Sequence, residues 1–320
     1  MIFKATLLGL HFFSCMCIFG QKIDNTALFR DAQCSKFFRF HYENDYFSAT
    51  DYYYTQGYNF ELIHPIFKKN PLSKILIQPK KWENRYGLCF ENYGFTPTSI
   101  RHPEIIYNDR PFAACILFKS FAISTDTTNQ IRITSVFTTG MIGPIAQGKE
   151  IQTAIHHWIR GTKPQGWQNQ IKNDVAVNYA IGIDKFIYAY RNFFSLYANA
   201  KINIGSLYNN AQTGFTFLLG KHNAPMKKAK AGRRFQLYGY GQGYTQYVAY
   251  DATLAGGFFA KNNPYTIENK NTNSIVYQIN AGLVFQYKKL QLEYSQTYIS
   301  REFKPGVFHR WGGIRIGVLL

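Results

Sequence analysis

The sequence predicts an all-β protein: a twelve-stranded antiparallel transmembrane β-barrel with one short helix in a surface loop. Three observations predict it. Aromatics make up 18% of the 320 residues, with 24 Tyr and 28 Phe, against only 17% charged residues. Apolar and polar residues alternate with period two through most of the chain, over runs of about ten residues, which is the length and rhythm of a lipid-embedded strand. After the N-terminus, no segment offers the ~18–20 continuous apolar residues of a membrane helix. A chain that spans a bilayer must then close into a barrel, because backbone groups in lipid have to pair among themselves. A soluble sandwich would show the same alternation, but the length, the aromatic load and an export segment favour the barrel.

The N-terminal segment is that export signal. Lys4 precedes an apolar run from Ala5 to Phe19, and Gly20 supplies a small residue before Gln21. We therefore divide the chain into a signal peptide, 1–20, and one barrel domain, 21–320. A retained anchor, or a lipoprotein signal at Cys15 or Cys17, are the alternatives. Phe12-Phe13-Ser14 is a poor lipobox. Cys34, Cys89 and Cys115 remain, too few and too odd for a disulfide framework.

The alternation places the strands. Phe38, Phe40 and Tyr42 oppose Arg39, His41, Glu43 and Asp45 near the start. Ile275, Tyr277, Ile279, Ala281, Leu283, Phe285 and Tyr287 share one face, while Ile314, Ile316 and Val318 oppose Arg315 and Gly317. The strands fall near 36–47, 52–64, 84–94, 111–123, 129–142, 174–190, 193–205, 208–220, 234–248, 275–288, 289–301 and 308–320. Their even number is that of single-chain bacterial barrels. Turns are marked by Asn70-Pro71, Asn192, Asn209-Asn210 and Lys288-Lys289.

One stretch breaks the rhythm. Between Gly148 and Gly161, Ile151, Ile155, Trp158 and Ile159 recur at helical spacing. The run from Lys149 to Arg160 reads as a short amphipathic helix that lays its apolar face on lipid or on the barrel wall. Gln152 and His156 stand one turn apart on a shared face. His157 points elsewhere.

The chain carries 36 Lys+Arg against 18 Asp+Glu, a balance that suits an acidic partner. No basic helix, zinc pattern or RNA-binding signature points to nucleic acid. The densest cluster is Lys227, Lys228, Lys230, Arg233 and Arg234. Phospholipid or lipopolysaccharide phosphate is the fitting partner. The chain lacks a Gly-x-Ser-x-Gly elbow, a zinc helix, a Walker loop and a dinucleotide fingerprint.

Candidate chemistry sits between His41 and Gly57. Asn44, Asp45, Asp51 and Thr55 offer oxygen on two adjacent strands joined by a short turn. Oxygen ligands this dense suit a hard cation such as Ca2+. A polar barrel rim is the competing reading. A histidine can accept a proton from water near neutral pH, and of eight histidines His156 has the helical setting and a polar neighbour on its face. Asp109 and Arg110 read as a structural charge pair rather than a substrate clamp.

Four blocks, in order, resemble one family. They are Glu43-Asn44-Asp45-Tyr46-Phe47, then Thr50-Asp51-Tyr52-Tyr53-Tyr54-Thr55-Gln56-Gly57, then Asn108-Asp109-Arg110-Pro111-Phe112-Ala113, and last Gly143-Pro144, Gln152, His156, Gly166-Trp167 and Gln170. The chain resembles the outer-membrane lipid A 3′-O-deacylases from about Phe37 to Leu320. The resemblance implies a site between the barrel wall and a loop helix, with calcium stabilising an oxyanion and a histidine activating water. It puts catalytic roles on His156, Asn44, Asp45 and Thr55, with metal binding at Asp45 and Asn44. Asp51, Gln152 and Arg110 follow as substrate or structural support. A lysine of that family, between the second and third blocks, is not carried over to any residue here, and Leu320 stands where the family favours an aromatic chain end. The expected partners are lipid A, lipopolysaccharide and outer-membrane lipids, with the protein a monomer in the outer membrane. A small porin or structural barrel, or an outer-membrane phospholipase, are the rival functions.

Overall fold

The computed structural model describes residue 30, residues 34–226 and residues 235–320. The export segment at 1–20 and the cluster from Lys227 to Arg234 lie outside the described residues. Twelve antiparallel strands close into a barrel. They are β1 (Phe37–Asn44), β2 (Tyr53–Ile63), β3 (Glu83–Thr96), β4 (Ala113–Asp126), β5 (Ile131–Ile142), β6 (Asp174–Tyr190), β7 (Phe194–Gly205), β8 (Tyr208–Lys221), β9 (Phe235–Asp251), β10 (Ile275–Tyr287), β11 (Leu290–Ile299) and β12 (His309–Leu319). β1 pairs with β12 from Phe37↔Leu319 to Asn44↔Gly312, which removes both sheet edges. No helix among the described residues is long and apolar enough to cross a membrane.

The alternation resolves as expected. On β1, Arg39, His41 and Glu43 are buried in the lumen, while Phe38, Phe40 and Tyr42 face out. An aromatic stripe crosses the outer wall, with ring centroids 5.0 Å apart for Phe40–Phe60, 6.5 Å for Phe60–Phe90 and 5.1 Å for Phe90–Phe118. Lumenal charges are paired, as low-dielectric burial requires. Glu293 accepts from Arg30 at 2.9 Å, Arg315 at 2.5 Å and the Tyr240 hydroxyl at 2.6 Å. Arg39 pairs with Glu61, and Lys119 with Glu91, each at 2.5 Å. Cys89 and Cys115 are buried among apolar neighbours, and neither is in a disulfide.

The strand starting at 36 ends sooner than its alternation implies. Asn44 caps a 3₁₀ turn over Asp45–Ser48, its Oδ1 accepting from the Tyr46 N–H at 2.8 Å. This local bond outcompetes a further strand pair. Two features were not anticipated from sequence. A single helical turn, α2 (Ala252–Ala255), follows β9, and two 3₁₀ turns, Pro65–Lys69 and Pro71–Ile75, fill the β2–β3 connection. The loop helix, α1, spans Gly148–Trp158.

The long connections 45–52, 97–112, 143–173, 252–274 and 300–308 leave one end of the barrel. The turns 127–130, 191–193 and 288–289 lie at the other. Outer-membrane barrels carry long loops outside and short turns on the periplasmic side, which orients the molecule.

Candidate active site on the outer wall of the barrel

β1 and β2 deliver the first half of the site. Asn44 is the outward-facing end of β1, and its Nδ2 donates to the Tyr42 hydroxyl at 3.1 Å. Both ends of its amide therefore shape the turn. Asp45 follows, 3% exposed, its Oδ2 accepting from the Tyr52 N–H at 2.8 Å.

A β-bulge then re-aims β2. The pairing steps from Tyr54↔Phe95 to Gln56↔Gly94, so Thr55 is the extra residue. Tyr54 points into the lumen, where its hydroxyl donates to Glu43 at 2.7 Å. Thr55 and Gln56 both end up on the outer face, with Gln56 directly opposite Asn44. An unbulged strand would have sent one of the two inward.

α1 supplies the second half by docking against that outer wall. Gly148 is its point of close approach. A Cβ there would stand 2.6 Å from both the Ala114 Cβ and the Trp167 ring. The buried members of the helix are Gly148, Gln152 and His156, so its polar stripe faces the barrel. Trp158, 85% exposed, and Ile159 point away from the barrel, while Ile151 and Ile155 are half-buried. Gln152 is the clamp: its Nε2 donates to the Thr55 hydroxyl at 2.9 Å, and its Oε1 accepts from the Trp167 indole at 2.7 Å. Trp167 packs with Ile100, Phe112, Ala114 and Ala146 under the loop.

One turn on, the His156 Nδ1 lies 2.6 Å from the Thr162 carbonyl oxygen. A carbonyl can only accept, so Nδ1 carries a proton, and in the neutral ring Nε2 is the nitrogen with the lone pair. Nε2 is 4.0 Å from the Asp51 Oδ1, a separation too long for a direct hydrogen bond. His157 is exposed, as its place on the helix foretold.

Asp51 ties the halves together electrostatically. Burial, and then the Asp51 charge, hold the Asp45 carboxyl well above the usual carboxylate range, against the pull of backbone N–H groups. Burial raises Asp51 too, opposed by His156 and Arg101. Gln56 is 1% exposed, and neither atom of its amide has a partner. Two carboxylates resisting ionisation beside an unpartnered amide oxygen make an oxygen-rich set that a cation would relieve. Among the described residues no group of three or more His, Cys, Asp or Glu converges as a metal site, so such a set has to include amide and backbone oxygens.

Arg110 does not join this cluster. It pairs with Glu302 in the lumen mouth, donates to the Thr253 hydroxyl at 2.7 Å and lies 3.8 Å over the Phe95 ring. Asp109 instead accepts from the Thr98 N–H at 2.8 Å. The expected Asp109–Arg110 charge pair is replaced by these separate anchors, because β4 starts at Ala113 and leaves both residues in a loop over the barrel mouth. A lumenal cavity of about 130 Å³, lined by Tyr54, Glu91, Lys119, Asp251 and Trp311, lies across the wall from His156 and is separate from the site. Sequence reading missed Gln56 and Trp167 as site residues. Both stand inside the family blocks, but only burial and the bulge reveal what they face.

The barrel fold and a polar cluster at its outer wall define an outer-membrane protein built to meet lipid from the side. A family model described as "Outer membrane protein LpxR" matches residues 7–320. The chain belongs to the LpxR family of outer-membrane proteins, the lipid A deacylases whose motif blocks it carries. Among solved structures, LpxR from Salmonella typhimurium superposes with a TM-score of 0.73 at 19% identity, covering 89% of this chain and 100% of that one. The β domain of the Bordetella autotransporter BrkA covers 89% of this chain and 99% of that one at 9% identity, with a TM-score of 0.45. No curated protein sequence matches.

Proposed function

We propose that the protein hydrolyses an ester-linked acyl chain of lipid A, the 3′-acyloxyacyl group, using His156 as general base and a calcium ion held near Asp45. The observation that carries this reading is the docking of α1. Its buried face brings Gln152 onto Thr55 and sets the His156 ring 4.0 Å from Asp51, one of two carboxyl groups held above their usual range.

The fixed tautomer leaves the His156 Nε2 free to take a proton from water. As the proton arrives, the Thr162 carbonyl and the Asp51 carboxylate stabilise the imidazolium, with 4.0 Å to Asp51 leaving room for one bridging oxygen atom. The hydroxide equivalent adds to the ester carbonyl. Collapse then breaks the C–O bond, and the proton on Nε2 passes to the departing sugar oxygen. Asp45, with Asp51 and the Gln56 amide oxygen, would hold the calcium ion. When bound, the ion supplies Lewis-acid polarisation of the carbonyl. Thr55 and Gln152 position α1. Trp158, Ile159 and Tyr46, all exposed, flank the site with apolar surface where acyl chains in the outer leaflet can reach it.

The test is His156→Ala. Loss of general-base catalysis is expected to slow acyl release by ~10²–10⁴-fold, read by mass spectrometry of lipid A, with heat-modifiable migration showing an intact barrel. Wild-type release by a folded variant would remove His156 from the mechanism. A porin is disfavoured by a lumen filled with paired charges. A phospholipase is separated by comparing hydrolysis of phospholipid with that of lipid A.

A further inference from the structure

At the periplasmic end, where 127–130, 191–193 and 288–289 are short turns, the β2–β3 connection runs from 64 to 82 and folds back along the lipid-facing wall. It is a built element. His64 and Asn70 cap its two 3₁₀ turns. The Tyr179 hydroxyl donates to the Ile75 carbonyl at 2.8 Å, the Ile77 N–H donates to the Ser135 hydroxyl at 3.0 Å, and Leu76 is buried against Tyr86 and Ala122. These partners all belong to the outer faces of β3–β6. The segment therefore lies on the barrel at the depth of the inner leaflet.

Its composition is one-sided. Between 64 and 82 it carries Lys68, Lys69, Lys74, Lys80 and Lys81, all exposed, and no acidic residue. Ile66, Leu72, Ile75 and Ile77 are exposed in the same segment. Beneath it, Phe67 and Leu72 close over Phe60, Leu62, Leu88 and Phe90 to form an apolar groove of about 340 Å³. That volume is in the ~300–1,000 Å³ range of ligand pockets. Lys68 and Lys69 continue the turn that contributes Phe67.

The geometry points to a specific binding site for one anionic phospholipid of the inner leaflet, an acyl chain in this groove and its headgroup phosphate among Lys68, Lys69 and Lys74. The groove alone would accept any acyl chain. The lysines select a negative headgroup, since cations near an anionic lipid surface attract it additively.

The test uses the full-length detergent-purified protein, delipidated and then incubated with dioleoyl phosphatidylglycerol or dioleoyl phosphatidylcholine, with bound lipid counted by native mass spectrometry. The wild type is expected to retain one phosphatidylglycerol at least tenfold better than phosphatidylcholine. Lys68→Gln/Lys69→Gln/Lys74→Gln is expected to abolish that preference, and Leu88→Trp, which fills the groove, to lose both lipids. Leu72→Trp blocks the groove from the other side and serves if Leu88→Trp fails to fold. Equal retention of the two lipids by the wild type, an undiminished preference in the triple variant, or retained lipid in a folded groove-filled variant would each overturn the site. The readout does not involve deacylation, so it stands or falls separately from the proposed activity.

Discussion

Gln152 is the residue whose removal should separate the barrel from its activity. Its side chain satisfies two buried groups, the Thr55 hydroxyl and the Trp167 indole N–H, whose residues are 2% and 1% exposed. Gln152→Met keeps the length and volume of the side chain but leaves both groups unpartnered. Each such group costs about 1–3 kcal/mol, so docking of α1 loses about 2–6 kcal/mol. Even the lower figure reduces the docked-to-undocked ratio about thirtyfold. The strand ladder does not depend on α1, so heat-modifiable migration should be unchanged while acyl release falls at least tenfold. Limited proteolysis supplies the readout that activity alone cannot: cleavage within 143–173 should accelerate. Adding Trp167→Phe removes one stranded donor and should recover part of the protection, a coupling visible in the double-mutant cycle. A Gln152→Met protein with wild-type acyl release and wild-type protease resistance would refute the clamp.

Gln56→Leu exchanges an unpartnered buried amide for an apolar side chain of similar size. It is expected to stabilise the barrel by about 1–3 kcal/mol in urea-induced unfolding while lowering acyl release, a trade expected of a functional polar group. Loss of stability would show that the amide has a structural partner. Because Asp45 and Asp51 titrate above their ordinary range in the folded protein, the folded state holds their protons more tightly than the unfolded chain. The stability this gives is present at low pH and is lost as pH rises through the raised values. Calcium needs the ionised forms, so the thermal shift produced by calcium should grow with pH over that interval and vanish in Asp45→Asn. A pH-independent shift, or insensitivity to chelator, counts against the metal. Gly148→Val drives a side chain into Ala114 and Trp167 and should undock the helix without unfolding the barrel, again read by proteolysis within 143–173.

Most of the barrel could be read from the chain. Period-two alternation is a local property, and Arg39, His41 and Glu43 on one side of β1 with Phe38, Phe40 and Tyr42 on the other need no tertiary information to be told apart. The same holds for Gln152 and His156, whose spacing alone puts them on one helical face. Strand ends were less legible, because Asn44 could extend β1 or cap a turn, and a side-chain hydrogen bond to the Tyr46 N–H decided it. Arg110 shows the limit of reading charge from neighbours in sequence. Its partner is Glu302, a residue far along the chain that the barrel brings across its mouth.

By itself the sequence determined that this chain alternates its way across a membrane and that a polar helical face had to find something polar to touch. Only the tertiary structure decided which side of the wall that was. The bulge at Thr55 reverses the facing of β2 for one step, and the close approach at Gly148 seats α1 on the outside, so Thr55, Gln152 and His156 gather on the outer wall rather than in the lumen. Which face a residue takes after a bulge depends on the partner strand's register. Register is a property of two segments together, and neither segment states it alone.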